Sequence, residues 1–187
     1  PPILFLPGYL GCRLFGTITE NATLPSSCLD ANLPINQPFE LLNNVTLGIH
    51  HHNCVHALLT VDFDPVTRQY SSPYSGFTVS TQHFGRFESL EAVYWNFPKH
   101  AIESWGYELY RNLFAIPYDY RFMSEEGLTS VGFLQELQSF IEKVYYLNNQ
   151  QKVLLIGHSN GGPTMYTFLT SSKITQAWKD KYIAAMI

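Results

Sequence analysis

Val153-Leu154-Leu155-Ile156-Gly157-His158-Ser159-Asn160-Gly161-Gly162 is the stretch that decides the fold. An unbroken apolar run with no polar alternation suits a strand buried on both faces. The run stops at Gly-x-Ser-x-Gly, and Thr164 to Leu169 then reads as a helix, with Pro163 acceptable in its first turn. Strand, serine turn and helix in this order are the setting in which a nucleophilic serine stands on a sharp, strained turn. The chemistry explains the glycines: residues two away from such a serine have no room for bulky Cβ groups. The backbone N–H of Asn160 and the helix start then face the oxygen that becomes negative during acyl transfer. Ser159 is therefore the candidate nucleophile. His158, next to it on a tight turn, is expected to point away from the hydroxyl and to pack against neighbouring strands.

Outward from this elbow the same rhythm recurs. Ile3 to Leu6 is apolar on both faces and stops at Pro7-Gly8, Arg111 to Ile116 leads into Pro117-Tyr118-Asp119, and Tyr182 to Ile187 is a further strand. Between Val131 and Tyr145, Leu134, Leu137, Ile141 and Val144 recur at helical spacing and give one apolar stripe. Ala92 to Leu109 is helical in part, broken by Pro98 and Gly106. Strands alternating with helices imply a mostly parallel sheet with crossover helices. With the serine elbow, that predicts an α/β-hydrolase over residues 1–187. The second oxyanion donor of such a site comes from the loop after an earlier strand. Leu6-Pro7-Gly8-Tyr9-Leu10-Gly11 fits, with the Tyr9 N–H as donor.

Residues 12–88 break the rhythm. They are rich in Pro, Asn, Ser and Thr, with strand-like pieces at Leu58 to Phe63 and Phe77 to Ser80. So long an excursion between sheet strands predicts a functional insertion, a lid or cap, rather than a plain connector.

Composition excludes some partners. A net charge of -4 leaves no electrostatic footprint for nucleic acid, and no Lys/Arg run suggests a polybasic membrane patch. His50-His51-His52 with Cys54 and His56 crowds metal-type side chains into one loop, but zinc sites draw on separated pairs, so no metal and no cofactor is expected. The three cysteines are an odd number: Cys28 and Cys54 bracket a polar and apolar insert, and Cys12 sits in a Gly-flanked turn. Two glycosylation sequons, at Asn21 and Asn44, fall in the same stretch. Together they point to an oxidising compartment, secreted or lysosome-like. The sequence opens inside an apolar strand, which predicts an N-terminus cut by maturation or by choice of boundaries.

Four blocks in order carry a resemblance: Pro2-Ile3-Leu4-Phe5-Leu6-Pro7-Gly8-Tyr9-Leu10-Gly11, Ile116-Pro117-Tyr118-Asp119-Tyr120-Arg121, Gly157-His158-Ser159-Asn160-Gly161, and Gln176-Ala177-Trp178-Lys179-Asp180-Lys181-Tyr182-Ile183. Phe84-Gly85-Arg86-Phe87-Glu88-Ser89-Leu90-Glu91 extends it. In these blocks the chain resembles the lecithin–cholesterol acyltransferase family, closest to its lysosomal phospholipase/acyltransferase branch. The resemblance implies that Ser159 takes an acyl group from a phospholipid or other lipid ester and passes it to water or a lipid alcohol. It implies a Cys28–Cys54 disulfide in the lid, an insert that touches a membrane or lipoprotein surface, and Asp119 and Arg121 as buried structural residues. Cys12 has no place in that pattern. In this fold the triad runs Ser, then Asp, then His. No histidine follows Ser159, and Asp180, the sole acid after it, is expected in a surface turn before a strand. The domain is therefore expected to be C-terminally incomplete and silent alone. Alternatives are a neutral-lipid lipase or carboxylesterase, or a non-catalytic lipid-binding remnant.

Overall fold

The computed structural model describes residues 1–42 and 50–187. In chain order the elements are β1 (Ile3–Leu6), β2 (Phe15–Ile18), β3 (Phe39–Glu40), α1 (His52–Leu58), β4 (Asp62–Asp64), β5 (Gln69–Ser71), β6 (Phe77–Ser80), α2 (Asn96–Trp105), β7 (Leu113–Ala115), α3 (Glu125–Ser130), α4 (Phe133–Leu147), β8 (Val153–Gly157), α5 (Gly161–Thr170), α6 (Gln176–Tyr182) and β9 (Ile183–Met186). They fall into two compact units, Pro1–Cys12 with His83–Ile187, and Arg13–Gln82.

The first unit is built on a parallel sheet in the order β7-β1-β8-β9. Its strands are the four apolar runs expected from the sequence, and the fold is the expected α/β type. β1 lies between two neighbours and all four of its residues are buried, as a continuous apolar run requires. Leu134, Leu137, Ile141 and Val144 of α4 are buried, and this helix packs on β8. α5 packs on β1 and β8. Trp178 of α6 donates its indole N–H to Glu142 of α4 at 2.7 Å, which fixes the last helix before β9. Ser124 caps α3 and Thr175 caps α6, each hydroxyl accepting a backbone N–H from the first turn.

Asp180 corrects one expectation. It lies inside α6, where its carboxylate accepts from the Gln176 amide at 2.7 Å, rather than in a surface turn. Gln176 and Asp180 are one helical turn apart, and that pairing suits a helix.

The second unit is antiparallel. β2 pairs with β3 on one side and β6 on the other, and β4 and β5 form a separate hairpin. The strand expected at Phe77 to Ser80 forms, whereas Leu58 to Phe63 does not form one. Leu58 ends α1, and Asp62–Asp64 is the strand. Cys54, Val55 and Leu58 are buried along one helix face, at the i, i+1, i+4 spacing of a helix, and Leu58 belongs to this face rather than to the strand that follows. A disulfide joins Cys28 to Cys54 with Cα atoms 4.7 Å apart, linking the turn at Ser26–Cys28 to α1.

Candidate active site

β1 and β8 run side by side in parallel, with Leu6 opposite Gly157. The segments that leave their C-terminal ends therefore start together, the arrangement that places a ligand site at the carboxyl edge of an open α/β sheet. Ser159 follows β8 by one intervening residue and has φ 52°, the left-handed region that costs a non-glycine residue of order 1–3 kcal/mol. Tight hydrogen bonds hold it there. His158 N–H donates to Leu6 O at 3.0 Å, Gly161 N–H to His158 O at 2.9 Å, and Gly162 N–H to Ser159 O at 3.1 Å. The glycines permit the close approach. A Cβ on Gly157 would sit 2.6 Å from Gly162 N, and one on Gly161 would collide with the Leu6 carbonyl. Ser159 itself is exposed.

The loop after β1 turns at once, with Gly11 N–H donating to Gly8 O at 3.0 Å and Leu10 at φ 57°. Gly8, Gly11, Gly161 and Gly162 all spend their N–H groups on protein acceptors. Among the described residues the N–H groups of Tyr9 and Leu10 in this loop, and of Ser159 and Asn160 in the nucleophile turn, donate to none. Asn160 is the cap residue of α5, where the helix dipole favours negative charge. The Tyr9 ring stands edge-on to Tyr120 at 5.2 Å, so the 117–121 segment supports this loop from beside it.

Asp119, which is buried, forms an ion pair with the partly buried Arg121. The guanidinium Nη2 donates to Oδ2 at 2.6 Å and Nε to Oδ1 at 2.9 Å, while Arg121 N–H donates to the same carboxylate at 3.1 Å. Cys12, for which the sequence offered no purpose, is a buried free thiol whose Sγ accepts the Tyr118 N–H at 3.2 Å. Burial pushes its pKa up to about 12; the Tyr118 N–H opposes that shift and the nearby Asp119 carboxylate adds to it.

His158 departs from its expected place. Its ring is exposed rather than packed on strands, and it meets Tyr94 edge-on at 5.6 Å, with Nδ1 3.2 Å from the Tyr94 hydroxyl. Sequence reasoning missed Tyr94 altogether. It sits on the short 3₁₀ turn Ala92–Trp95, far from Ser159 in the chain, and no motif or spacing there marks it.

Cys54 is bonded to Cys28, so it has no thiolate to offer a metal, and the described residues hold no cluster of three or more metal-type side chains. Asn21 is exposed in a turn. Asn44 lies outside the described residues. Among the described residues no helix is long and apolar enough to cross a membrane.

A family model described as lecithin:cholesterol acyltransferase matches residues 70–187. The lysosomal phospholipase A and acyltransferase of Homo sapiens is 27% identical across 100% of this chain and 45% of its own length. Lecithin-cholesterol acyltransferase-like 1 of Oryza sativa subsp. japonica is 24% identical over 97% of the chain and 42% of its own length. Phosphatidylcholine-sterol acyltransferase of Gallus gallus is 39% identical over 44% of the chain and 18% of its own length. The chain thus spans less than half the length of these relatives.

Proposed function

The chain belongs to the lecithin:cholesterol acyltransferase family, and from that premise we propose that it carries the nucleophile half of a serine acyl-transfer site acting on phospholipids. The observation that carries this reading is Ser159 at φ 52° on the turn between β8 and α5, exposed beside the loop that leaves β1. A strained serine between a buried strand and a helix, flanked by glycines, is the arrangement in which a nucleophilic hydroxyl is presented.

In this reading Ser159 Oγ attacks the ester carbonyl carbon of a phospholipid while a base takes its proton. The carbonyl oxygen becomes negative and accepts from Tyr9 N–H and Asn160 N–H, neither of which has a protein acceptor. Collapse breaks the ester C–O bond, the proton returns to the departing lysolipid alcohol, and an acyl-serine remains. Water or a lipid alcohol then attacks the acyl carbon and restores the hydroxyl. All seven histidines precede Ser159. The reading follows the order Ser, acid, His and assigns base and acid to parts of the whole protein outside these 187 residues. No cofactor enters the scheme.

For the Arg13–Gln82 unit the reading assigns contact with a membrane or lipoprotein surface. Support comes from apolar side chains turned to solvent there, Leu29, Ile35, Phe63 and Val66. The Cys28–Cys54 disulfide fits a secreted or lysosomal compartment, and Asn21 is assigned as an exposed glycan acceptor there.

The test is Ser159→Ala in the full-length protein, assayed on phosphatidylcholine vesicles and with a fluorophosphonate probe. The expected result is a fall on the order of a million-fold in kcat and no labelling. Retained turnover in the alanine protein would end the acyl-enzyme proposal. Turnover of triglyceride emulsions with none on phospholipid would leave the chemistry standing and replace the substrate by a neutral lipid.

A further inference from the structure

We propose that Tyr94 is the positioning residue of this site: its hydroxyl ties the loop after β1 to the nucleophile turn by taking up the Gly8 N–H, and so fixes the turn that presents the Tyr9 N–H. The inference rests on the serine chemistry proposed above and adds a residue to it.

The geometry is a bridge. Gly8 N–H donates to Tyr94 Oη at 2.8 Å, and the same oxygen lies 3.2 Å from Nδ1 of His158, the residue before Ser159. Having accepted from Gly8, the phenol has its own proton to give. Nδ1 of a neutral imidazole carrying its proton on Nε2 takes it, the tautomer that this network assigns. One side chain from outside both loops thus connects the two segments that leave β1 and β8.

Packing agrees with the hydrogen bonds. A Cβ on Gly8 would lie 2.9 Å from Ser159 Cβ, 3.0 Å from Tyr94 Oη and 3.2 Å from His158 Nδ1, so the three groups converge on one point of the loop. A Cβ on Gly11 would lie 2.7 Å from Tyr94 Cε2. The ring's other side rests near Phe5 of β1, with centroids 5.6 Å apart. Its backbone is anchored as well: Glu91 N–H donates to Gly11 O and Tyr94 N–H to Glu91 O, both at 3.0 Å. The ring is therefore registered to the loop it holds before its hydroxyl forms any bond.

The consequence is selective. The Gly8 N–H is consumed by the phenol and so is not offered to an oxyanion. The turn that presents Tyr9 N–H keeps one orientation. Misplacing such a donor by about 1 Å is worth up to roughly a hundred-fold in rate.

Tyr94→Phe in the full-length protein is the test, because phenylalanine keeps the ring on Phe5 and removes only the bridge. On phosphatidylcholine vesicles kcat is expected to fall about 10–100-fold, with KM changed less than about two-fold, since a positioning group acts on the transition state. Fluorophosphonate labelling of Ser159 is expected to slow by a similar factor. Hydrogen exchange at Gly8 is expected to speed up, a readout independent of turnover. His158→Ala, a change at an exposed position that leaves folding intact, is the second variant. Its expected effects have the same sign and are smaller, and adding it to Tyr94→Phe costs little more than Tyr94→Phe alone. Unchanged kcat in Tyr94→Phe overturns the proposal, as does unchanged Gly8 exchange in both variants. A wild-type protein with neither turnover nor labelling overturns the serine chemistry itself. Gly8 exchange in that case still reports whether the bridge exists, so the two failures are distinguishable.

Discussion

The sheet unit and the Arg13–Gln82 unit reach order by different means. In the first, four apolar runs form one parallel sheet, with Leu4, Leu6, Leu113, Ala115, Val153 and Leu155 all removed from water. In the second, strands of two to four residues pair antiparallel around a few buried side chains, and a disulfide closes the loop from Cys28 to Cys54. Their cysteines differ in the same sense: Cys12 of the sheet unit is a buried thiol, and Cys28 and Cys54 are oxidised. Where burial is extensive, hydrophobic contacts hold the unit; where it is thin, a covalent link supplements it.

The largest effect expected from this contrast lies in the sheet. Leu155 of β8 is fully buried, and Leu155→Ala is expected to cost about 2–5 kcal/mol, the lost transfer energy plus a cavity. Denaturant unfolding followed by near-UV signals checks it. A loss below about 1 kcal/mol would mean that the strand is not the core element described here.

Next comes the disulfide. Cys28→Ser with Cys54→Ser is expected to cost roughly 3–4 kcal/mol in the chain-entropy model for a separation of 26 residues. Hydrogen exchange is the measurement, because it reads each region separately. Amides of β2 and β6 are expected to exchange faster and those of β1 and β8 to keep their protection. Equal loss in both regions would break the comparison, since the covalent link would then stabilise the sheet as well.

The same contrast explains how much was legible in the sequence. Ile3 to Leu6 and Val153 to Ile156 read as buried strands because both faces are apolar, a pattern that needs no partner to be recognised. The serine elbow was legible for a related reason: its glycines answer a local steric demand. In the insertion, Phe77–Ser80 alternates and was found, but the strand at Asp62–Asp64 was placed too early, at Leu58 to Phe63, because its own residues are exposed and two are charged. It exists through pairing with Gln69–Ser71, which a single segment does not encode. Tyr94 is the sharper case. Nothing around Ala92–Trp95 announces a contact to Gly8 or His158, because only the folded unit brings 8, 94 and 158 together. Cys12 likewise finds its partner at Tyr118, across a long stretch of chain.

The smallest effect concerns that thiol and needs only pH to reveal it. Cys12 is buried, and its pKa is raised from 9.0 to about 12, chiefly because burial disfavours the thiolate. An unfolded chain exposes the thiol to water, so it ionises there first. A folded-state pKa above the unfolded one contributes stability that is fully present below pH 9.0 and is lost as pH rises toward about 12. Between pH 8 and pH 10 this group alone is expected to lower stability by about 1 kcal/mol. Lysines and tyrosines titrate in the same range, so the difference between wild type and Cys12→Ala isolates it: the wild-type curve falls more steeply, and the alanine protein, less stable at pH 8, loses less on going to pH 10. Parallel curves would show that Cys12 sees water in the folded state. Iodoacetamide gives an independent reading, because only a thiolate reacts quickly. At pH 8 the native protein is expected to resist alkylation at Cys12 and to take up one equivalent once denaturant opens the sheet. Cys28 and Cys54 remain silent in both conditions while their bond is intact, so rapid labelling of the native chain would place the thiol at the surface and remove Cys12 from the buried core.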